Sequence, residues 1–376
     1  MGLAAIIDKG SRQQPEPGSS TEGFARPMTP ISQAASSKRR AARSPKNAAH
    51  SPRLGHYTGP GLVPGSGQGH IHAPQPGVTA SLIHDYLVLF KVKVVALVLV
   101  TGWGGFYLGS LHSGISSVQR GLLDTLLGIG LVSAGAGALN EVIERKTDAH
   151  MKRTADRPMA ARRFSLGQGV LAGMSALAFG AVWLLVYTNL LTVALALLTA
   201  FTYVAIYTPL KRVTAMATFV GAFPGAMGPM LGWTAARGRI EWPAIALFAI
   251  LFIWQFPHFM SIAWLYRDDY AHAGIRMLPV VQPNGRSTVA EALLFAVLMI
   301  PVSLAPWWLG MAGILYAVPA TALGLLYLAY TIRFARILRP AALTEGRMVA
   351  RDLLKVSVLY LPLLFTSLML CATGRH

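Results

Sequence analysis

The chain has little charge and almost no cysteine. Only 13% of its 376 residues are Asp, Glu, Lys or Arg, about half the fraction usual in soluble domains. Acids are the scarcer sign, 15 against 33 Lys and Arg. The single cysteine, Cys371, excludes an internal disulfide framework and a cysteine metal cluster. Its place in the last apolar run makes it a small packing residue. The first 80 or so residues lack apolar periodicity. Their longest apolar stretch, Leu3 to Ile7, is too short for the core of a signal peptide.

What is present is hydrophobic. Such residues make up 53% of the chain, and that excess with so little charge implies a polytopic membrane protein. Residues 1–80 are a different material, rich in Pro, Gly, Ser, Arg and His, and are expected to be a disordered basic tail. Its run Lys38, Arg39, Arg40, Arg43 and Lys46 suits anionic lipid headgroups better than nucleic acid. The Arg- and Ser-rich composition also fits a mitochondrial transit peptide.

From residue 84 to the C-terminus, apolar runs predict an all-α bundle of nine transmembrane helices. They fall near 87–109, 122–140, 167–187, 190–210, 214–235, 243–264, 288–305, 308–331 and 353–373. Tight turns are expected at Thr188–Asn189 and Pro306–Trp307, and prolines 224, 229 and 257 are expected to interrupt helices. Gly128, Gly130, Gly135 and Gly137 in the second helix would let backbones approach closely. With the N-terminus inside, inward-facing loops hold seventeen Lys and Arg and outward-facing ones hold four. By the positive-inside rule this orients the bundle. The net charge of +18 is therefore topology and not nucleic-acid recognition.

The stretch LNEVIERKTDAHMKRTADRPM, 139–159, is the most informative. Asn140, Glu144 and Asp148 recur every four residues, so on a helix they share one face and climb about 12 Å. Such a row of oxygen ligands suits a hard divalent cation held against a diphosphate. Lys152, Arg153 and Arg157 follow and could grip phosphate oxygens. A second acidic pair, Asp268 and Asp269, is expected to end the sixth helix on the same side. A lone Asp at the bilayer centre costs roughly 2.5–3.5 kcal/mol, so both acid groups are expected to rim a water-accessible cavity. Tyr203, Tyr207 and Lys211 lie at spacings of four. They read as interfacial belt residues or as part of the same site, and Lys91 and Lys93 as snorkelling anchors or further phosphate ligands. His258 sits among aromatic residues, where a hydrogen-bonded core histidine is the default and a haem contact the sharper alternative.

Together these motifs resemble the intramembrane aromatic-type (UbiA-type) prenyltransferases, and among them a haem-modifying branch. The likeness rests on N-x-x-x-D/E-x-x-x-D-x-x-M-x-R-T-x-x-R-P, carried by Asn140, Glu144, Asp148, Met151, Arg153, Thr154, Arg157 and Pro158. YTPLKR at 207–212, the Gly-rich run 221–226, QFPHF at 255–259, YRDDY at 266–270 and MLPVV at 277–281 extend it. It covers about residues 84–373. Two departures stand out: Lys146 replaces an acid common in bacterial members, and Val92 replaces a proline.

The resemblance implies a bundle whose central cavity opens to the cytoplasm. It implies farnesyl diphosphate and haem b as substrates, and Mg2+, two ions, bridging the diphosphate to Asn140, Glu144, Asp148, Asp268 and Asp269. Arg153, Arg157, Lys211 and Lys91 would bind the diphosphate, while Tyr203, Tyr207 and His258 would line the isoprenoid and haem pocket. It implies a bacterial inner membrane in preference to a mitochondrial one, with the C-terminus periplasmic, and a downstream haem a synthase as partner. Prenylation of a quinone precursor or chlorophyll-like acceptor is the rival enzymatic reading. A transporter or assembly factor is the non-enzymatic one.

Overall fold

The computed structural model describes residues 78–111, 118–339 and 343–373. The basic run at 38–46, and all but the end of the expected tail, lie outside them. The chain folds into helices α1 (Val78–Leu89), α2 (Val92–Leu111), α3 (Val118–Asp148) and α4 (Leu166–Tyr187), followed by α5 (Leu190–Leu210), α6 (Ala217–Arg237) and α7 (Trp242–Leu265). Two short helices, α8 (Arg267–His272) and α9 (Leu278–Val281), precede α10 (Arg286–Trp308), α11 (Ile314–Phe334) and α12 (Leu343–Leu370). Among the described residues the one isolated β-bridge joins Ala312 and Ala372.

Among the described residues, eight helices are long and apolar enough to cross a membrane. The fifth long helix in chain order, α6, has 21 residues but is diluted by Gly and Pro. The protein is a multi-pass membrane protein. Large side chains such as Leu171, Phe179, Val186 and Leu315 face outward, as lipid contact requires.

Several expected boundaries move. The first span breaks at Lys91, whose φ of 49° is unusual for a residue with a side chain, and the 12-residue α1 precedes the break. α3 runs on to Asp148 instead of ending near 140, because basic side chains neutralise its acids. α10 continues through Pro306 to Trp308, so the chain turns at Leu309–Gly313, where Gly310 has φ 71°. The turn at Thr188–Asn189 is where it was expected, with Asn189 capping the start of α5 by accepting from the Thr192 amide (2.9 Å). Prolines 224, 229 and 257 lie inside helices without ending them. Such prolines are tolerated where neighbouring groups satisfy the freed backbone.

Close seams join the helices. A Cβ on Gly135 of α3 would stand 2.6 Å from the Gly173 carbonyl and the Leu177 amide of α4. The core has two main parts, beside small clusters around Met159 and Met151. The larger packs α7, α10, α11 and α12 around Leu247, Met260, Tyr316, Tyr327 and Tyr360. The smaller packs α3, α4 and α5 around Ile129, Leu184 and Ala196. α6 supplies Met230 and Trp233 to one and Leu231 to the other.

Candidate active site

At the C-terminal end of α3, the expected row of oxygens forms on one buried face. Asn140 is fully buried, and Glu144 and Asp148 nearly so. Each faces a cation from elsewhere in the chain. Lys91, turned inward at the α1–α2 break, donates to Asn140 Oδ1. Lys211 Nζ donates to Glu144 Oε1 at 2.7 Å, and Arg157 Nη1 to Asp148 Oδ2 at 2.7 Å. Buried ion pairs recover their desolvation cost only with good geometry, and these two have it. Burial works against the charge of Lys211, but Glu144, helped by Tyr207 and Tyr203, outweighs it and holds the ammonium above its usual range.

α5 contributes the opposite wall. Its residues Thr202–Tyr207 form a π-helical turn, a rare feature that recurs at functional sites. The wider turn keeps Tyr203 and Tyr207 stacked, with ring centroids 5.7 Å apart. Lys211 lies over the Tyr207 ring at 4.4 Å, so the three side chains share one face as their spacing predicts. Lys93, by contrast, is exposed and fits its anchoring role.

The second acidic segment reaches the same end of the bundle. α7 stops at Leu265, and Asp268 and Asp269 sit on the separate α8 instead of ending the long helix. Beyond α3, Met151 packs with Tyr270, Ala273 and Ile275, and Arg153 covers the Tyr266 ring at 5.0 Å. The Arg276 amide donates to the Lys211 carbonyl at 2.9 Å. Asp268 is exposed and pairs with Arg267 (3.6 Å), while Asp269 is half-buried. The two acid groups therefore neighbour each other without merging. Among the described residues, no three His, Cys, Asp or Glu side chains gather as a metal cluster.

His258 stands apart, in the α7–α12 seam. Its ring stacks on Trp254 (4.7 Å), and its Nδ1 is 2.7 Å from Ser357 Oγ. Ser357 already donates to the Leu354 carbonyl, so Nδ1–H is the donor in that contact. The lone pair then lies on Nε2.

Two buried residues escaped the sequence reading. Thr208 Oγ1 accepts from Asn140 Nδ2 at 2.7 Å and donates to the Tyr203 carbonyl at 2.8 Å, which orients the asparagine. Glu141 is fully buried, and its Oε1 accepts from the Met159 amide at 3.3 Å. The available signal for Glu141 was an acid directly beside Asn140, where the apolar run ends. Thr208 lies within the YTPLKR motif at 207–212, but its partner Asn140 could not be read from it, because only folding brings α5 against α3.

Comparison with known proteins agrees with this architecture. Residues 97–349 match the UbiA prenyltransferase family. The chain is similar to a protoheme IX farnesyltransferase of Koribacter versatilis, 51% identical over 80% of this chain and 96% of that protein. Another, from Solibacter usitatus, is 41% identical over 78% of this chain and all of that one. Among solved structures, a digeranylgeranylglyceryl phosphate synthase superposes with TM-score 0.63 at 17% identity, covering 77% of this chain and 98% of that one. A UbiA homologue from Archaeoglobus fulgidus bound to DMAPP and Mg2+ gives TM-score 0.51 at 15% identity, over 76% and 99%.

Proposed function

The chain belongs to the UbiA prenyltransferase family, and from that premise we propose that it transfers the farnesyl group of farnesyl diphosphate to the vinyl group of haem b. Water adds in the same reaction, giving haem o and diphosphate. The observation that carries this reading is the near-full-length likeness to protoheme IX farnesyltransferases. The buried ladder of Asn140, Glu144 and Asp148, each facing a cation, supplies chemistry that suits it.

The ladder is a set of hard oxygen donors, a type that fits Mg2+. Asn140, Glu144 and Asp148 would hold it on one side, and Asp268 and Asp269 across the mouth. Bound with the diphosphate, Mg2+ supplies positive charge to the leaving oxygens. Arg157, Lys211, Lys91 and Arg153 bind and orient the remaining oxygens as charge builds there. The C1–O bond of the farnesyl group breaks, and diphosphate leaves with the electron pair. The faces of Tyr203 and Tyr207 attract the allylic cation through their ring quadrupoles. The vinyl π pair then bonds to C1, and water takes up the resulting cation and loses a proton. His258 contacts the porphyrin through Nε2.

In the cell the protein sits in a bacterial inner membrane with the site facing the cytoplasm. Its product is substrate for a haem a synthase. Extraction of haems from a host lacking its own activity tests the function. With the wild-type chain, haem o is expected in the mass spectrum. With Glu144→Gln at equal membrane abundance it is expected to be lost. Absence of haem o with the wild type would end the assignment.

A further inference from the structure

Arg157 is tethered twice. Its guanidinium reaches Asp148 at 2.7 Å, and the side chain is only 16% exposed. Two residues on, the Met159 amide donates to Glu141 Oε1. Glu141 and Asp148 lie seven residues apart on α3, two turns of one helix, so a single rigid element holds both the tip of this arginine and the backbone that carries it. A guanidinium held only at its tip can pivot, whereas one held at both ends presents its free donors in a fixed direction. The cost of keeping Glu141 is plain: it is fully buried, and its Oε2 finds no hydrogen-bond partner among the described residues. A buried carboxyl so poorly satisfied is unfavourable by itself.

We propose that Glu141 is a positioning residue: by accepting the Met159 amide from α3, it sets where Arg157 meets the diphosphate. The segment it secures is also tied at its far end. Arg163 forks onto Asp85 of α1 through Nε (2.8 Å) and Nη2 (2.9 Å). Its Nη2 also donates to the Asp156 carbonyl at 2.8 Å. Those outer ties order the segment. Before Arg157, Thr154 Oγ1 donates to the Asp148 carbonyl at 3.0 Å. Beyond it, the Glu141 contact and the packing of Met159 with Ala138 and Val142 join the segment to the helix that bears the oxygen ladder. The proposal rests on the prenyl-transfer reading for the identity of the anion.

Reach and charge separate cleanly at this position. Glu141→Gln keeps the side-chain length and a carbonyl acceptor but loses the charge. Glu141→Asp keeps the charge but is one methylene too short to hold the amide. Both variants are conservative enough to preserve the membrane bundle. Full-length protein in detergent is assayed for the KM of farnesyl diphosphate, for kcat, and for inhibition by inorganic pyrophosphate. Hydrogen exchange across 155–163 gives a readout independent of turnover.

Glu141→Asp is expected to raise KM and the pyrophosphate inhibition constant by about tenfold, with kcat within about threefold, since small misplacements of a binding group carry such penalties. Exchange at Met159 should quicken. Glu141→Gln should stay within about threefold of wild type throughout. Wild-type constants in both variants would overturn the proposal. So would impairment in Gln alone, because charge and not reach would then be the requirement, and so would equal impairment in both, because reach alone would then not suffice. If the wild type itself neither turned over farnesyl diphosphate nor bound pyrophosphate, the prenyl-transfer reading would fail instead, and exchange at Met159 would still report whether Glu141 holds the segment.

Discussion

At the scale of single residues, the site is a balance of opposite charges in a nearly dry place. Glu144 and Lys211 are both buried, so neither can lose its partner to water. Lys211→Ala should destabilise the protein by roughly 3–5 kcal/mol, because an unpaired carboxylate is left behind. Lys211→Met combined with Glu144→Gln should recover most of that stability while remaining inactive. Thermal melts of purified protein in detergent, with a turnover assay alongside, measure both effects. The spacing of Asn140, Glu144 and Asp148 could be read from sequence because helical periodicity alone places them on one face. That Lys91 and Lys211 pair with Asn140 and Glu144 could not, since they lie 49 and 67 residues away along the chain.

At the scale of elements, glycines and ion pairs decide how closely helices dock and where they stop. Gly135→Val would push against the Gly173 carbonyl and the Leu177 amide of α4, neither of which can give way without moving the helix. Overpacking of this kind costs roughly 1–3 kcal/mol. Gly167→Ala, with open space around it, serves as the neutral control in the same melts. The small residues of this helix were legible, but their partners on α4 were not. The Arg163–Asp85 fork ties α1 to the segment after α3. Arg163 beside Asp85, chiefly by hydrogen bonding, holds that carboxyl below its ordinary range. A depressed folded pKa adds stability above the unfolded value, which is lost as pH falls through the folded one. The stability gap between wild type and Asp85→Asn, roughly 1 kcal/mol near neutrality for so exposed an arginine, should therefore shrink below about pH 4. A gap unchanged between pH 7 and pH 3 would remove the fork from the account.

At the scale of the whole molecule, the helices carry the oxygen ladder, Lys211 and the α8 acids to one end of the bundle. The loop between α6 and α7, where Glu241 pairs with Arg237 and Arg239, follows the next crossing of the membrane. The charge bias predicts that the end carrying the oxygen ladder faces the cytoplasm. In a Cys371→Ser background, Arg239→Cys should react with an impermeant maleimide added to intact cells. Lys152→Cys should react only after the membrane is opened. The reverse pattern would invert the topology. Both positions are exposed, so access and not burial sets the outcome.

The sequence by itself determined that this is a helical membrane protein, where most of its spans run, and which acids, arginines and tyrosines share helical faces. Those properties depend on local periodicity and on the cost of leaving apolar or charged groups in the wrong solvent, both of which act within a single segment. Only the tertiary structure decided that α3 extends past its acids, that Lys91 turns inward at a break between helices, and that His258 is engaged with Ser357 across a helix seam. It also decided that Glu141 reaches over to the backbone beside Arg157. Each of these depends on a partner distant in the chain, because a buried charge or polar group is tolerated only where folding delivers the atom that satisfies it.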